Sequence, residues 1–329
     1  MFWGRATAGD LHGAVCGFAP DVLHANDLST LGAAARVSRH LGCRLVYDAH
    51  EYEADRNGVP DSLAERVRLR DEKRFITHAD AVVTVSDGIA DRLAERYGIP
   101  RPHVVMNAFL TDVPGTVDLR AQLGLEAAAK LAILTGAAQM GRGHEEAIAA
   151  LSHARPHWHL AILGKLSDAR RRTLDDIART HGVANRVHQL GEVEPDRVMS
   201  YARAADAALI PIQDTCEAYR VALPNKLFQA AFAHLPIVAT PLPEIASWVR
   251  FADAGVVADG FAAVDLARAL EDVEAFDLKP SIELDAYSAA SQARRLCTIY
   301  AALESGRPLP VSTPLPHRSI GTHSGIALP

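Results

Sequence analysis

The stretch Leu223-Pro224-Asn225-Lys226-Leu227-Phe228-Gln229 is followed by the apolar run Leu235-Pro236-Ile237-Val238-Ala239-Thr240. Proline is favoured at the first position of a helix, where its missing N–H is not needed, so a helix is predicted to begin at Pro224. Lys226 then falls in the first turn, although lysines are favoured at the other end of a helix by roughly 0.3–1 kcal/mol. Because helix N-termini bind anions, the stretch predicts a phosphate-binding corner; a solvated lysine on an amphipathic helix is the alternative.

Short apolar runs of the same kind recur along the chain, with helical patterns between them. Their length suits strands that are buried on both faces, as in parallel sheets. Strand–helix alternation of this kind predicts a doubly wound α/β architecture. The runs lie at Val22–His24, Arg44–Tyr47, Ala81–Val85, Val104–Met106, Leu131–Leu134, Leu160–Leu163, Val187–Leu190, Ala208–Ile210, Ile237–Ala239 and Val256–Ala258.

The chain is predicted to contain two domains and a tail. Its 329 residues are enough for two domains, each with its own core. Residues 112–117 carry turn chemistry without periodicity, which predicts a linker between domains at 1–111 and 118–279. A last helix is predicted within 280–305, and residues 306–329, rich in proline, serine and histidine, are predicted to be disordered.

The composition argues against several classes of protein. A net charge of −6 does not support nucleic-acid binding. No apolar run reaches the length of a membrane span, and no signal-peptide core follows the first residues. The cysteines are too scattered for a disulfide framework or a zinc site, which predicts a reduced, cytoplasmic protein. They are Cys16, Cys43, Cys216 and Cys297.

A glycine-rich turn, Gly136-Ala137-Ala138-Gln139-Met140-Gly141-Arg142-Gly143, lies between a predicted strand and a predicted helix. Its spacing mimics a P-loop, but Arg142 replaces the lysine and Gly143 replaces the residue that holds magnesium, so a nucleotide triphosphatase is not expected. Backbone amides, a helix N-terminus and the guanidinium still offer positive potential to a phosphate. A plain turn with a surface arginine is the alternative.

Polar residues also follow the first two strands. His50 comes just after the strand at 44–47, at the edge where open α/β sheets bind ligands. It is a candidate donor to a sugar hydroxyl or a phosphate; the alternative is a structural histidine held by Asp48 or Asp27. His24 and Asp27 are candidates for a direct role at the same edge.

Other catalytic signatures are missing. The segments that begin at His50 and His144 lack a second histidine one turn on, so neither predicts a zinc-protease helix. No Gly-x-Gly-x-x-Gly follows the early strands, which argues against a dinucleotide dehydrogenase. The absence of Gly-x-Ser-x-Gly argues against a serine hydrolase of the usual α/β type.

Taken together, these segments resemble the family 4 glycosyltransferases, retaining enzymes of the GT-B fold. The resemblance implies two Rossmann-like domains, a nucleotide-diphosphate-sugar donor on the second, a hydroxyl acceptor on the first, and neither metal nor other cofactor. Order and spacing agree from about residue 20 to residue 275. The matching stretches are Pro20–Asp27, Leu45–Glu51, Ala79–Ser86, Val104–Asn107, Gly141–Gly143, Leu160–Gly164, Leu223–Gln229 and Leu235–Thr240.

The resemblance also implies roles for residues of the second domain. Arg142 and Lys226 would neutralise the donor diphosphate, with Gly141 in the same loop as Arg142. Asn225 would orient the loop that precedes the helix. Gln229 stands where the family places a glutamate that contacts the ribose.

The implied catalytic residues are His50, which would reach the reacting sugar from the first domain, and Glu217, the nearest candidate for the family's glutamate beside the sugar. His24 and Asp27 would lie on the acceptor side. No protein nucleophile is implied, because the departing phosphate helps to deprotonate the acceptor hydroxyl on the face that it leaves. Catalysis then rests on positioning and electrostatic stabilisation.

The chain departs from the family pattern in three places. An amide at Gln229 accepts a hydrogen bond without charge assistance. A neutral hydrogen bond typically contributes about 0.5–1.5 kcal/mol, whereas one to a charged group contributes about 1.5–3 kcal/mol. His234 stands where a glycine usually precedes Leu235, so the turn must differ or tolerate strain. Only some twenty residues precede the strand at Val22, so the first domain is expected to be truncated and to leave an open sheet edge.

Two other functions stay open at this point. A non-catalytic relative would bind a sugar nucleotide or an interaction partner. Gln229 and the short stretch before the strand at Val22 favour this candidate, whereas Arg142, Lys226 and His50 favour the enzyme. A sugar-nucleotide epimerase of the same fold is the third candidate. The residues leave the donor base, the sugar, the acceptor and the oligomeric state open, and membrane contact is expected only with a lipid acceptor.

Overall fold

The computed structural model describes residues 13, 15, 17–59, 62–108, 115, 117–278 and 284–319. The chain forms two units, of which the first combines 1–106 with 290–315 and the second combines 107–289 with 316–329. Each unit is an α/β layer structure around a parallel sheet. No helix within the described ranges is long and apolar enough to cross a membrane.

The first unit is built on a four-stranded sheet in chain order. Its strands are β1 (Val22–Asn26), β2 (Arg44–Ala49), β3 (Ala81–Thr84) and β4 (His103–Val104). All neighbours are parallel, which requires a crossover between successive strands. The crossovers contain helices α1 (Leu28–Leu41), α2 (Leu63–Ile76) and α3 (Asp87–Tyr97).

The second unit holds a six-stranded parallel sheet with the order β10-β9-β8-β5-β6-β7. The order reverses between β5 and β8, and open α/β sheets bind ligands beside the carboxyl ends of strands at such a point. The strands are β5 (Lys130–Thr135), β6 (Trp158–Leu163), β7 (Val187–Gly191), β8 (Ala207–Ile210), β9 (Ile237–Ala239) and β10 (Gly255–Val257). The helices are α4 (Leu119–Leu123), α5 (His144–Ala150), α6 (Asp168–Thr180), α7 (Val198–Ala202), α8 (Glu217–Arg220), α9 (Asn225–Phe232), α10 (Pro243–Phe251) and α11 (Ala263–Asp272).

The second unit has its main core on one face of this sheet. Fully buried side chains of β5 and β6 pack there against the helices α5, α6 and α11. An aromatic cluster of Phe228, Trp248 and Tyr287, with ring centroids 5.3–5.8 Å apart, anchors α9 and α10 elsewhere in the unit.

Helix α12 (Ala289–Ser305) belongs almost wholly to the first unit. Its buried Ile299 and Leu303 pack against Val46 of β2 and Val83 of β3. The helix thus covers the sheet that lies far before it in the chain.

Residues 306–319, the described part of the segment after α12, are ordered, which differs from the disorder that their composition predicts. The Ser312 hydroxyl donates to the Pro102 carbonyl (2.7 Å), and the Leu315 N–H donates to the buried Asp87 carboxylate (2.9 Å). Arg101 pairs with the other oxygen of Asp87 (2.5 Å). These contacts stabilise the segment. The prediction of disorder does not include them, because it uses only the composition of the segment itself.

A short helix, α13 (Pro316–Ser319), follows in the second unit. There Arg318 and His317 pair with Glu244, and the side chain of His317 is fully buried. Residues 320–329 lie outside the described residues, as does most of the predicted linker at 112–117.

The ten predicted strands are all present, with bounds within two residues of the prediction. Two predicted helix ends are also confirmed, since Ser86 Oγ accepts the Ile89 N–H (3.2 Å) and Gly98 ends α3 in the left-handed conformation. The start of α9 is one residue later than predicted. Pro224 is the residue before the helix, and Asn225 is its first residue.

The strain expected at His234 is present. Its φ is +54°, in the left-handed region that favours glycine. The conformation closes the end of α9, where the Leu235 N–H donates to the Ala230 carbonyl (3.0 Å).

Replacing His234 by glycine should therefore stabilise the protein. The left-handed backbone conformation costs a residue other than glycine roughly 1–2 kcal/mol. The greater conformational entropy of glycine in the unfolded chain offsets about 0.5–1 kcal/mol of this gain. Urea denaturation should show a free energy of unfolding raised by up to about 1 kcal/mol. Gly98→Ala, at a left-handed position with open space around it, is the matched opposite change and should destabilise. A less stable His234→Gly variant would show that the imidazole makes a stabilising contact.

Candidate functional site

Three loops meet at the carboxyl ends of the central strands of the second unit. A Cβ on Gly143 would lie 1.7 Å from the Pro211 carbonyl oxygen, after β8, and a Cβ on Gly164, after β6, would lie 2.1 Å from that of Gly136. These backbones touch only because neither glycine carries a side chain. The close contact, together with the left-handed φ of +77° at Gly143, is what requires glycine there.

Lys226 reaches this corner from the first turn of α9. Its side chain is only 9% exposed, and its ammonium lies beside Gly136, since a Cβ on that glycine would be 4.0 Å from Lys226 Nζ. Burial, and then the charge of Arg142, lower its pKa to about 7. The described residues offer this ammonium no hydrogen bond and no ion pair, so its charge is available to an anion.

Arg142 lies in the glycine-rich turn, and its guanidinium carbon stands 5.3 Å from the centroid of the Tyr219 ring. Its Nε is buried, with no hydrogen-bond partner in the described structure. A cation over an aromatic face is held without being neutralised. Sequence reasoning misses Tyr219, because no spacing rule connects a ring in α8 with the turn after β5.

His144 is the first residue of α5 and is fully buried, and neither ring nitrogen has a partner in the described structure. Desolvation, followed by the charges of Lys226, Arg170 and Arg142, lowers its pKa to about 3. The ring is therefore neutral near pH 7. Arg170 is paired with Glu145 at 2.5 Å, whereas Arg142 and Lys226 form no ion pair with any described residue.

The other predicted donor residues stand around this corner. Asn225 is exposed at the start of α9, and Gln229 is half-buried one turn further on. Gly141 has a φ of +76°, and its carbonyl accepts the Gln213 N–H (2.9 Å). Glu217 is the first residue of α8, the helix that also carries Tyr219. Their proposed contacts with a ligand stay predictions.

The polar residues predicted in the first unit form one connected cluster. His50 Nε2 lies 3.0 Å from Asp48 Oδ2, and His24 Nε2 lies 3.2 Å from the same oxygen. The hydrogen bond with Asp48 raises the pKa of His50, while those from both histidines lower the pKa of Asp48 against the effect of burial. Asp27 has a φ of +62°, and its N–H donates to the Asp48 carbonyl (2.9 Å).

Asp48 therefore holds His50, as the structural interpretation of this histidine predicts. The contact occupies only Nε2 of the ring. Nδ1 of His50 makes no hydrogen bond to any described residue. Among those residues, no group of three or more histidine, cysteine, aspartate or glutamate side chains is arranged to hold a metal ion.

Two family models match the chain. The model described as Glycosyltransferase Family 4 matches residues 6–112, and the model described as Glycosyl transferases group 1 matches residues 130–274. The first match covers the strands of the first unit, and the second covers those of the second unit.

The chain is also similar to named bacterial proteins. It is 28% identical over 232 residues to the D-inositol 3-phosphate glycosyltransferase of Xylanimonas cellulosilytica, a match over 61% of this chain and 56% of that protein. It is 28% identical over 213 residues to the protein of the same name from Nocardiopsis dassonvillei, over 58% of this chain and 49% of that protein. The chain spans about half the length of these relatives.

Solved structures show the same fold at lower identity. Sucrose-phosphate synthase from Thermosynechococcus elongatus matches with a TM-score of 0.77 and 18% identity, over 92% of this chain and 79% of that chain. HepE from Anabaena, solved in complex with UDP-glucose, matches with a TM-score of 0.71 and 19% identity, over 89% of this chain and 82% of that chain. These matches confirm the two Rossmann-like domains of the GT-B fold that the sequence predicts.

The buried imidazole of His144 generates a stability prediction. His144→Leu removes a buried polar group without a partner, so the free energy of unfolding should rise by about 1–3 kcal/mol. Between a folded-state pKa of about 3 and the ordinary 6.5, only the unfolded chain binds this proton, so wild-type stability falls as the pH falls through that window. The variant should lack this slope.

Urea denaturation at about pH 4 and about pH 7 measures the difference. The exposed His153, changed to leucine, is the matched control and should keep the wild-type behaviour. A His144→Leu variant with an unchanged slope would contradict a neutral, buried imidazole.

Proposed function

We propose that the chain transfers a sugar from a nucleotide-diphosphate donor to an acceptor hydroxyl, because the Glycosyltransferase Family 4 model matches residues 6–112 and the Glycosyl transferases group 1 model matches residues 130–274. We place the donor diphosphate at the corner of the second unit formed by the turn after β5 and the start of α9. The chain spans about half the length of the curated relatives that it matches, so the reaction of the whole protein is part of this proposal.

The observation that carries this proposal is the pairing of Arg142 with a buried, unneutralised Lys226. Burial lowers the pKa of Lys226 most, and repulsion by the positive charge of Arg142 lowers it further. A diphosphate would relieve this repulsion and return the lysine to its charged form. Arg142, held by Tyr219, would form charge-assisted hydrogen bonds with the phosphate oxygens.

We propose UDP-glucose as the first donor to test, because a structure of similar fold, HepE, was solved in complex with it. Gln229 would accept a hydrogen bond from the ribose without the charge of a glutamate. Asn225 and Gly141 would complete the loops around the diphosphate. D-inositol 3-phosphate is the first acceptor to test, since it appears in the names of the relatives.

We propose a retaining reaction in which the bond between the anomeric carbon and the diphosphate oxygen breaks. The acceptor oxygen bonds to the same face, and its proton passes to the departing phosphate. Negative charge grows on the diphosphate in this step, and fixed cations aimed at it stabilise the transition state. Arg142 and Lys226 supply that charge, so we propose that no metal ion is required.

His50 is proposed as the catalytic residue of the first unit. Its Nε2–H is held by Asp48, so a protonated ring presents Nδ1–H as a donor to a sugar hydroxyl or a phosphate. His24 and Asp27, in the same cluster, are proposed on the acceptor side. Glu217 stays the proposed carboxylate beside the donor sugar, and a cytoplasmic location completes the proposal.

The substitution at position 229 favours a second candidate, a relative that binds the sugar nucleotide without transferring it. The two are separated by incubating the chain with UDP-glucose and a panel of acceptors that includes D-inositol 3-phosphate. A glycoside detected by mass spectrometry supports transfer. UDP-glucose binding without any product supports the binding protein, and a changed sugar nucleotide without acceptor supports an epimerase.

Changes at the two cations should weaken diphosphate binding selectively. Arg142→Ala and Lys226→Ala should each reduce the affinity for UDP-glucose by tenfold or more, roughly 1.5–3 kcal/mol for a charged hydrogen bond. The affinity for uridine, which lacks the phosphates, should change little. Isothermal titration calorimetry measures both, with Arg179→Ala on the exposed surface of α6 as the control. Equal losses for uridine and UDP-glucose would remove both residues from this role.

The affinity for UDP-glucose should also depend on pH. Above about 7, a growing share of the free protein has a neutral Lys226, and that residue must bind a proton as the diphosphate binds. The affinity should therefore fall by up to about tenfold per pH unit above neutrality. Titrations between about pH 6.5 and about pH 8.5 measure this, and Lys226→Arg, which stays charged, should remove the dependence. A flat wild-type profile would mean that Lys226 does not face the diphosphate.

A further inference from the structure

A chain of hydrogen bonds connects the C-terminal helix of the first unit with His50. Tyr300 Oη, on α12, lies 2.6 Å from His24 Nδ1 on β1. His24 Nε2 lies 3.2 Å from Asp48 Oδ2 on β2, and His50 Nε2 lies 3.0 Å from that same oxygen. The four side chains come from three separate elements and the loop after one of them.

The direction of each bond follows from the donors available. When His24 is neutral, the Tyr300 hydroxyl donates to Nδ1, which places the imidazole hydrogen on Nε2. That N–H then donates to the Asp48 carboxylate. His50 donates its own Nε2–H to the same oxygen, so Asp48 is the shared acceptor.

Packing fixes the far end of this chain. The rings of Tyr300 and His24 stack with centroids 6.1 Å apart and planes 11° from parallel. One residue before Tyr300, Ile299 is buried against β2 and β3. The hydroxyl of Tyr300 is therefore held in place by a helix that is itself anchored on the sheet.

We infer that Tyr300 and His24 are positioning residues that orient Asp48, and through it His50, for the proposed reaction. The inference deepens the proposed function, because it concerns how the residue assigned to the sugar is held. The connections among the four side chains can be measured on the free protein, without any donor or acceptor.

The charges around His50 give the inference a measurable signature. Three carboxylates face its ring, those of Asp48, Asp27 and Glu51, and all raise its pKa, whereas burial lowers it. The imidazolium, with both nitrogens as donors, thus persists to a higher pH than in an ordinary histidine. A change in the hydrogen bonds to Asp48 should therefore shift the pKa of His50.

Tyr300→Phe is the decisive variant, because it keeps the stacked ring and removes only the hydroxyl. Nδ1 of His24 then loses its hydrogen-bond donor, so His24 no longer holds Asp48 firmly towards His50. The hydrogen bond from His50 to Asp48, which raises the pKa of His50, should weaken, and that pKa should fall. Asp48→Asn removes the shared carboxylate and should lower the pKa of His50 further, towards the ordinary 6.5.

The experiment is an NMR titration of histidine-labelled full-length protein, together with the pH profile of kcat. Tyr300→Phe should also lower kcat about threefold on the alkaline side, because a lower pKa of His50 leaves less imidazolium there. The donor KM should be nearly unchanged. Tyr97→Phe is the matched control, because Tyr97 also donates to a buried carboxylate of this unit, Glu72 (2.6 Å). It should match wild type in both measurements.

The inference is overturned if Tyr300→Phe and Tyr97→Phe give the same His50 titration. The proposed function fails differently, with no product from any acceptor or with full activity in His50→Ala. In either of those cases the titration still decides whether Tyr300 and His24 position Asp48.

Discussion

The feature on which the second unit depends is an ammonium group buried without a carboxylate. Removing a charge from water is costly unless a partner replaces the water, and proteins usually neutralise such a group or pair it. Lys226 is instead set beside Arg142, and its pKa of about 7 reflects that disadvantage. The surrounding fold, with glycine backbones in contact and a firmly packed α9, keeps the two cations together. An anion bound beside both groups would make this arrangement favourable.

Much of this architecture is predictable from local sequence. Buried strands show as short apolar runs, and the caps at Ser86 and Gly98 follow from side-chain chemistry that acts within one helical turn. The ordered segment after α12 is not predictable in this way, because its contacts with Asp87 and Pro102 join residues more than two hundred positions apart. The contact of Tyr219 with Arg142 is not predictable from local sequence either, because it joins residues of two separate elements.

The two units place different chemistry at the corresponding edge of their sheets. The second presents positive charge with a neutral histidine behind it, which suits a phosphate. The first presents N–H donors held by one carboxylate, which suits hydroxyl groups. In both, the side chains predicted from strand ends are found at those ends, while the residues that hold them come from distant elements. Sequence motifs therefore find the groups that face a ligand more readily than the groups that position them.

The glutamine at position 229, which favours the binding protein over the enzyme, also bears on the affinity for the donor. Losing charge assistance in one hydrogen bond lowers binding by about 1 kcal/mol, roughly fivefold. In the proposed complex the two cations at the diphosphate would each contribute more than this, so the donor is still expected to bind. Transfer, however, needs stabilisation that grows as the glycosidic bond breaks. In the proposed reaction Lys226 and Arg142 at the leaving group and a correctly held His50 would supply that stabilisation, and the role proposed for Gln229 lies at the ribose.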